Sequence, residues 1–249
     1  MPGGRVALVT GGSRGIGRAC ALALAEDGFD IALNYRRNTE AAAEAVAAVE
    51  ARGRRARAYR ASVEVPAEDE AMVAAVQEDF GPVDTLVHAA GIASRGHTVA
   101  DTDPAELEHV VAVHAFGAHH LCRLVLPSMR AAPRGDIVMV SSVVTRLLGA
   151  NGAPYNMAKA ALEALALTLA KEERRHGIHV NVVAPSLVVT EMGRRIMQAM
   201  GVEDIESMDA RAPFGRVCRP EDVAGVVRFL CSPGAGYLSG EVIAVDGGG

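Results

Sequence analysis

TGGSRGIG, residues 10–17, follows the apolar run RVALVT at 5–10 and leads into a stretch of helical periodicity that reaches about residue 27. A strand that turns through closely spaced glycines into a helix leaves the first N–H groups of that helix free and lets backbone come close to a bound pyrophosphate. The roles divide by position. Gly11 permits the tight turn, Gly15 the close approach and Gly17 the packing of helix on strand, with Ser13, Arg14 and Ile16 completing the cradle.

Outward from this turn, β-rich runs alternate with helical stretches. DIALNY (30–35), RARAYR (55–60), VDTLVH (83–88), DIVMVSS (136–142), IHVNVVAP (178–185) and EVIAVD (241–246) read as strands, and the segments at 39–52, 66–80, 104–131, 154–176 and 220–231 as helices. Strands separated by helices need crossover connections, so the expected sheet is parallel and covered on both faces. With the opening run, the reading predicts an α/β fold: one Rossmann-type, doubly wound, seven-stranded domain over 1–249. The rhythm breaks at EMGRRIMQAMGVEDIESMDARAPF, 191–214, whose methionines suit an adaptable apolar lid over a substrate.

Composition excludes several classes. A formal charge of −5 and a pI near 5.9 argue against a nucleic-acid or anionic-membrane surface. No apolar run reaches the roughly 18 residues of a membrane span, and no signal segment opens the chain. Cys20, Cys122, Cys218 and Cys231 lie far apart, which predicts free thiols and a cytoplasmic protein. The eight histidines show no ligand spacing, so no metal is expected.

The end of the second strand reads Asn34-Tyr35-Arg36-Arg37. An acid there would hold the ribose hydroxyls of NAD and repel a 2′-phosphate. Arg36, Arg37 and the loop's Arg14 could instead grip that phosphate, so the expected cofactor is NADP(H). A second signal is YNMAK at 155–159. The chain has 23 arginines and only two lysines, Lys159 and Lys171. Lysine can give up a proton where arginine in practice cannot, and Tyr155 lies one helical turn before Lys159, which makes the two a candidate acid/base pair.

Together these residues resemble the short-chain dehydrogenase/reductase family, in particular its branch of 3-oxoacyl-acyl-carrier-protein reductases. The resemblance runs from about residue 5 to 248 and includes TGGSRGIG, the set Ser142, Tyr155 and Lys159, the strand-six motif NVVAPSLVVT (181–190) and the closing stretch from Gly215. It implies hydride transfer between nicotinamide and a carbonyl carbon. Tyr155 then protonates the oxygen, Ser142 hydrogen-bonds it, and Lys159 holds the ribose and lowers the phenol's pKa. The same resemblance assigns Ser62, Val63, Ala89, Ala90, Gly91, Pro185, Val188 and Thr190 to the cofactor. It also implies a homotetramer and a carrier-linked substrate, with Arg130, Arg134, Arg174 and Arg175 near the mouth to receive an acidic acyl carrier protein.

The chain departs from the family pattern in four places. His88-Ala89-Ala90-Gly91 stands for Asn-Asn-Ala-Gly, Ser62 for an aspartate that holds the adenine, and Ser186 for a glycine. His114 stands for an asparagine whose bound water links the lysine to solvent, and a neutral imidazole could orient the same water. The expected activity is NADPH-dependent reduction of a 3-oxoacyl thioester. Its rivals are a sugar, polyol or cyclic-ketone dehydrogenase and, from another class, a cofactor-binding scaffold with little turnover.

Overall fold

Residues 4–248 are described by a computed structural model; residues 1–3 and 249, at the ends of the expected domain, lie outside the described residues. The first apolar run becomes Val6–Thr10 (β1), with all five residues buried, as a strand covered on both faces requires. There follow Gly15–Glu26 (α1), Asp30–Tyr35 (β2), Thr39–Glu50 (α2), Ala56–Arg60 (β3), Pro66–Phe80 (α3), Thr85–His88 (β4), Pro104–Val111 (α4) and Gly117–Met129 (α5). The second half holds Gly135–Val140 (β5), Val144–Leu147 (α6), Ala153–Glu173 (α7), Ile178–Pro185 (β6), Glu191–Ala199 (α8), Pro220–Leu230 (α9) and Val242–Val245 (β7).

The seven strands form one parallel sheet in the order β3-β2-β1-β4-β5-β6-β7. β1 pairs with both β2 and β4, so the winding reverses there, and the crevice beyond the carboxyl ends of β1 and β4 is where such a sheet takes a ligand. Alternate side chains feed two cores. Leu8 joins α3, α5 and α7 on one face, while Ala7 and Val9 join α1, α2 and α9 on the other. On that second face α1 packs along α9, with Ala21, Leu24 and Ala25 in one cluster with Val223, Val227 and Leu230.

α4 and α5 are one helix interrupted by a π turn at Ala112–Phe116. By length and composition the stretch Pro104–Met129 could cross a membrane, yet over half of its most apolar window is buried in the protein and Leu121 and Val125 pack into the core. Residues 191–214 contribute Met197 and Ile205 to a small apolar cluster with Val217. The apolar stripe of α3 is broken at Asp69, which is fully buried among Met72, Val73 and Val76 with neither carboxyl oxygen partnered.

Candidate active site

The glycine turn sits at the carboxyl end of β1. Arg14, in extended backbone, precedes α1 and offers no side-chain cap, so the first-turn N–H groups of Gly15, Ile16 and Gly17 are left to another acceptor. A β-carbon on Gly17 would fall 2.3 Å from the Gly11 carbonyl oxygen, a clash that explains the glycine. An uncapped helix start and a turn that a β-carbon would fill fit a dinucleotide pyrophosphate. Two residues that the sequence reading passed over brace this turn. Asn34 accepts from the Gly11 N–H at 3.3 Å and donates to the Ala61 carbonyl at 2.9 Å, tying the turn to the end of β3. Thr10 Oγ1 accepts from the Ala89 and Ala90 N–H groups at 3.1 and 3.0 Å. Its proton is then directed at His88 Nδ1, 3.1 Å away, which places the imidazole's own proton on Nε2.

The structure brings Ser142, Tyr155, Lys159 and His114 together from three elements. Ser142 follows β5, Tyr155 and Lys159 share one face of α7, and His114 comes from the π turn. The Lys159 Nζ lies 5.6 Å from the Tyr155 ring centroid and donates to the Val140 carbonyl at 2.7 Å. Burial lowers its pKa to about 7, against the pull of Glu163. Ser142 Oγ makes two long bonds, to the Pro185 carbonyl and from the Val144 N–H, both 3.4 Å, and is therefore lightly held. His114 meets Tyr155 edge-on at 5.3 Å. Its Nε2 contacts both the N–H and the carbonyl of Ile92, at 3.1 and 2.8 Å, while its buried Nδ1 has no partner. Burial and the nearby ammonium hold this imidazole neutral. Gly91 makes room for it, because a β-carbon there would lie 2.5 Å from the ring.

A family described as enoyl-(acyl carrier protein) reductase matches residues 11–249. The chain belongs to the short-chain dehydrogenase/reductase family. An L-rhamnose 1-dehydrogenase (NAD(P)(+)) of Sphingomonas sp. is 37% identical over 98% of this chain and 96% of that protein. A 3-oxoacyl-[acyl-carrier-protein] reductase of Staphylococcus aureus is 36% identical over 97% and 96%. The structure of L-sorbose reductase from Gluconobacter frateurii, complexed with NADPH and L-sorbose, superposes with a TM-score of 0.90 at 31% identity, covering 98% of this chain and 96% of that one. As a short-chain dehydrogenase/reductase the protein is an oxidoreductase that uses a nicotinamide cofactor.

Within this family member, three expectations are revised. The phenol of Tyr155 is not lowered: burial pushes it up to about 12, and only the neighbouring Ser142 hydroxyl pulls the other way. Lys159 does not offset this, because with its own pKa lowered to about 7 it has lost its charge before the phenol titrates. Nor are the arginines at the adenine end all free. Arg36 pairs with Glu64 at 3.4 Å, and Arg14 pairs with Glu191 at the start of α8. Arg37 makes no ion pair among the described residues, and Arg60, unnoticed in the sequence, reaches the Arg36 carbonyl. Lastly, the arginines assigned to a carrier protein sit at the other end of α7. Tyr155 is in its first turn and Arg174 follows its last, about 28 Å away at 1.5 Å per residue. Arg130 is clamped by Glu173 at 2.5 and 2.8 Å and Arg134 by buried Asp136.

The remaining cofactor candidates surround the crevice in varied roles. The Ser62 N–H donates to Glu68 at 2.7 Å and Val63 is buried. Pro185 ends β6, and Val188 bridges to Cys218. Thr190 caps α8 by accepting from the Gly193 N–H at 3.0 Å, and its methyl is the nearest neighbour of a β-carbon built on Gly15. All four cysteines are free.

Proposed function

We propose that this protein reduces a ketone to a secondary alcohol with NADPH, and that the ketone is a 3-oxoacyl thioester. When bound, the nicotinamide supplies the hydride. Tyr155 supplies the proton to the carbonyl oxygen, Ser142 turns its loosely held hydroxyl to the same oxygen, and Lys159 restores the phenol's proton. A phenol held near pKa 12 is protonated at neutral pH, which suits proton donation in the reductive direction. Arg37 and Arg60 are the cations that support the choice of NADPH.

The observation that carries the substrate class is the short turn after Ser142. Leu147 and Leu148 are 70% and 62% exposed, and Leu148 holds a left-handed backbone (φ 46°) that a leucine seldom adopts. The turn's polar side chains are engaged elsewhere, Thr145 with Glu163 and Arg146 with the Val242 carbonyl. On the segment that follows Ser142, these exposed leucines would offer an acyl chain an apolar contact that a polyol does not need. The sugar reading stands second, on the rhamnose and sorbose enzymes among the relatives. We further propose that residues 191–214 form the substrate lid, and that Phe116 and Met157, exposed on the α4–α5 and α7 helices, meet neighbouring copies in a homotetramer.

A side-by-side assay decides. We expect a 3-oxoacyl thioester, on coenzyme A or on acyl carrier protein, to give a kcat/KM at least ~10-fold above ketoses and cyclic ketones, with NADPH preferred. A ketose turned over faster than either thioester overturns the reading in favour of a sugar enzyme.

A further inference from the structure

We propose that Glu163 is a positioning residue of this active site: its carboxylate anchors the segment bearing Ser142 to α7 and favours the protonated form of Lys159. Tyr155, Lys159 and Glu163 stand four residues apart on α7, so they share one face of the helix. Glu163 Oε1 accepts from Ser141 Oγ at 2.7 Å and from Thr145 Oγ1 at 3.0 Å. These residues flank Ser142, one before it and three after. The Thr145 hydroxyl also lies 3.1 Å from the Ser142 carbonyl, but a charged carboxylate is the stronger acceptor. Because Ser142 itself makes only long bonds, its place is set by these neighbours and by β5.

The electrostatic argument is independent of the anchoring. Lys159 is buried, and its one close partner is the neutral carbonyl of Val140. The titratable groups that face it are Tyr155 and Glu163 on its own helix, His114 from the π turn and His88 from the end of β4. Burial keeps both imidazoles and the phenol neutral, so Glu163 is the negative charge of the set. Among the described residues it forms no ion pair with an arginine that would spend its field elsewhere. A carboxylate one turn away offsets part of the cost of burying the ammonium.

The proposal rests on the reading of Lys159 as part of the active site, and its electrostatic half is tested without substrate. Since the chain has two lysines, a Lys171→Arg background labelled with ε-¹³C lysine gives a single side-chain resonance from Lys159. We expect it to titrate near pH 7, to shift down by roughly half a unit or more in Glu163→Gln, and to recover most of that shift in Glu163→Asp. The pair Ser141→Ala/Thr145→Val keeps the charge and removes the anchor. It should leave the midpoint within a few tenths of a unit while lowering kcat several-fold, and Glu163→Gln should move the alkaline limb of the rate profile to lower pH. An unmoved lysine midpoint in folded Glu163→Gln overturns the electrostatic role. An unchanged kcat in the double variant overturns the anchoring. A parent protein that reduces no ketone with either cofactor refutes the functional reading instead, and the titration distinguishes that failure from these.

Discussion

Replacing Glu64 by glutamine should make the protein a better NADPH binder. In the structure the Glu64 carboxylate sits 3.4 Å from the Arg36 guanidinium, with side-chain exposures of 14% and 42%. At that distance an effective dielectric near 20 gives about 5 kcal/mol. Solvent around a guanidinium this exposed, together with the entropy of holding two long side chains, reduces such a pair to ~1 kcal/mol. A 2′-phosphate that recruits Arg36 has to give up that much, or about fivefold in affinity, and also approaches a like charge. Glu64→Gln removes both penalties, so the Kd for NADPH should fall about 5- to 10-fold, and that for NADH, which lacks the phosphate, by less than about twofold. Titration of cofactor fluorescence at low salt measures both, and the gain should shrink at ~0.5 M salt as the charges are screened. In an Arg36→Ala background the gain should shrink to the part that comes from relieving the like-charge approach, since the ion-pair part acts through one contact. An equal gain for both cofactors, or none for NADPH, would refute the idea that Glu64 competes with the phosphate.

The proposed relay predicts that His114→Asn keeps most activity while His114→Leu loses at least ~10-fold in kcat at saturating cofactor, and a Leu variant as fast as the parent removes His114 from the site. Away from the site, burial with Glu64 and Glu68 nearby pushes the Asp69 carboxyl up to about 8, whereas the unfolded chain ionises near the ordinary ~4. The folded state thus holds the extra proton, and stability falls as pH rises from ~4 toward 8. Asp69→Asn should change little near pH 4 and stabilise by about 2–4 kcal/mol at pH 7, read from denaturant unfolding at fixed protein concentration; a pH-independent difference contradicts this account.

The fold was legible because its signals are local. A parallel strand buried on both faces reads as an apolar run, and each run here is bounded by helical periodicity. The glycine turn and the Tyr155–Lys159 pair were legible for the same reason, each lying within one element. What the sequence hid is pairing between elements. Nothing near Arg36 in the chain announces Glu64, and nothing near Arg14 announces Glu191, 177 residues away. Arg130 looked available because the clamp of Glu173 exists only in three dimensions, whereas the distance of Arg174 from Tyr155 follows from a single helix that the sequence already indicates. The phenol's shift has the opposite sign to the one expected because burial, which no spacing encodes, raises the phenol and also strips Lys159 of its charge at a lower pH. Glu163 left a visible trace, its place in the register of Tyr155 and Lys159, yet its partners come from the turn after β5.

The packing of α1 along α9 has a consequence for how the chain is made. α1, whose start faces the proposed cofactor site, leaves the ribosome well before α9, the helix that covers its apolar side and ends at Leu230. About 200 residues separate them, which at roughly 5–20 residues per second is ~10–40 s of synthesis. Throughout that interval Leu24 and its neighbours have no cover from α9, although β4 becomes available to β1 early in it, and β7 reaches β6 only after it. The apolar side of α1 is therefore left uncovered through most of the synthesis of this stretch of chain.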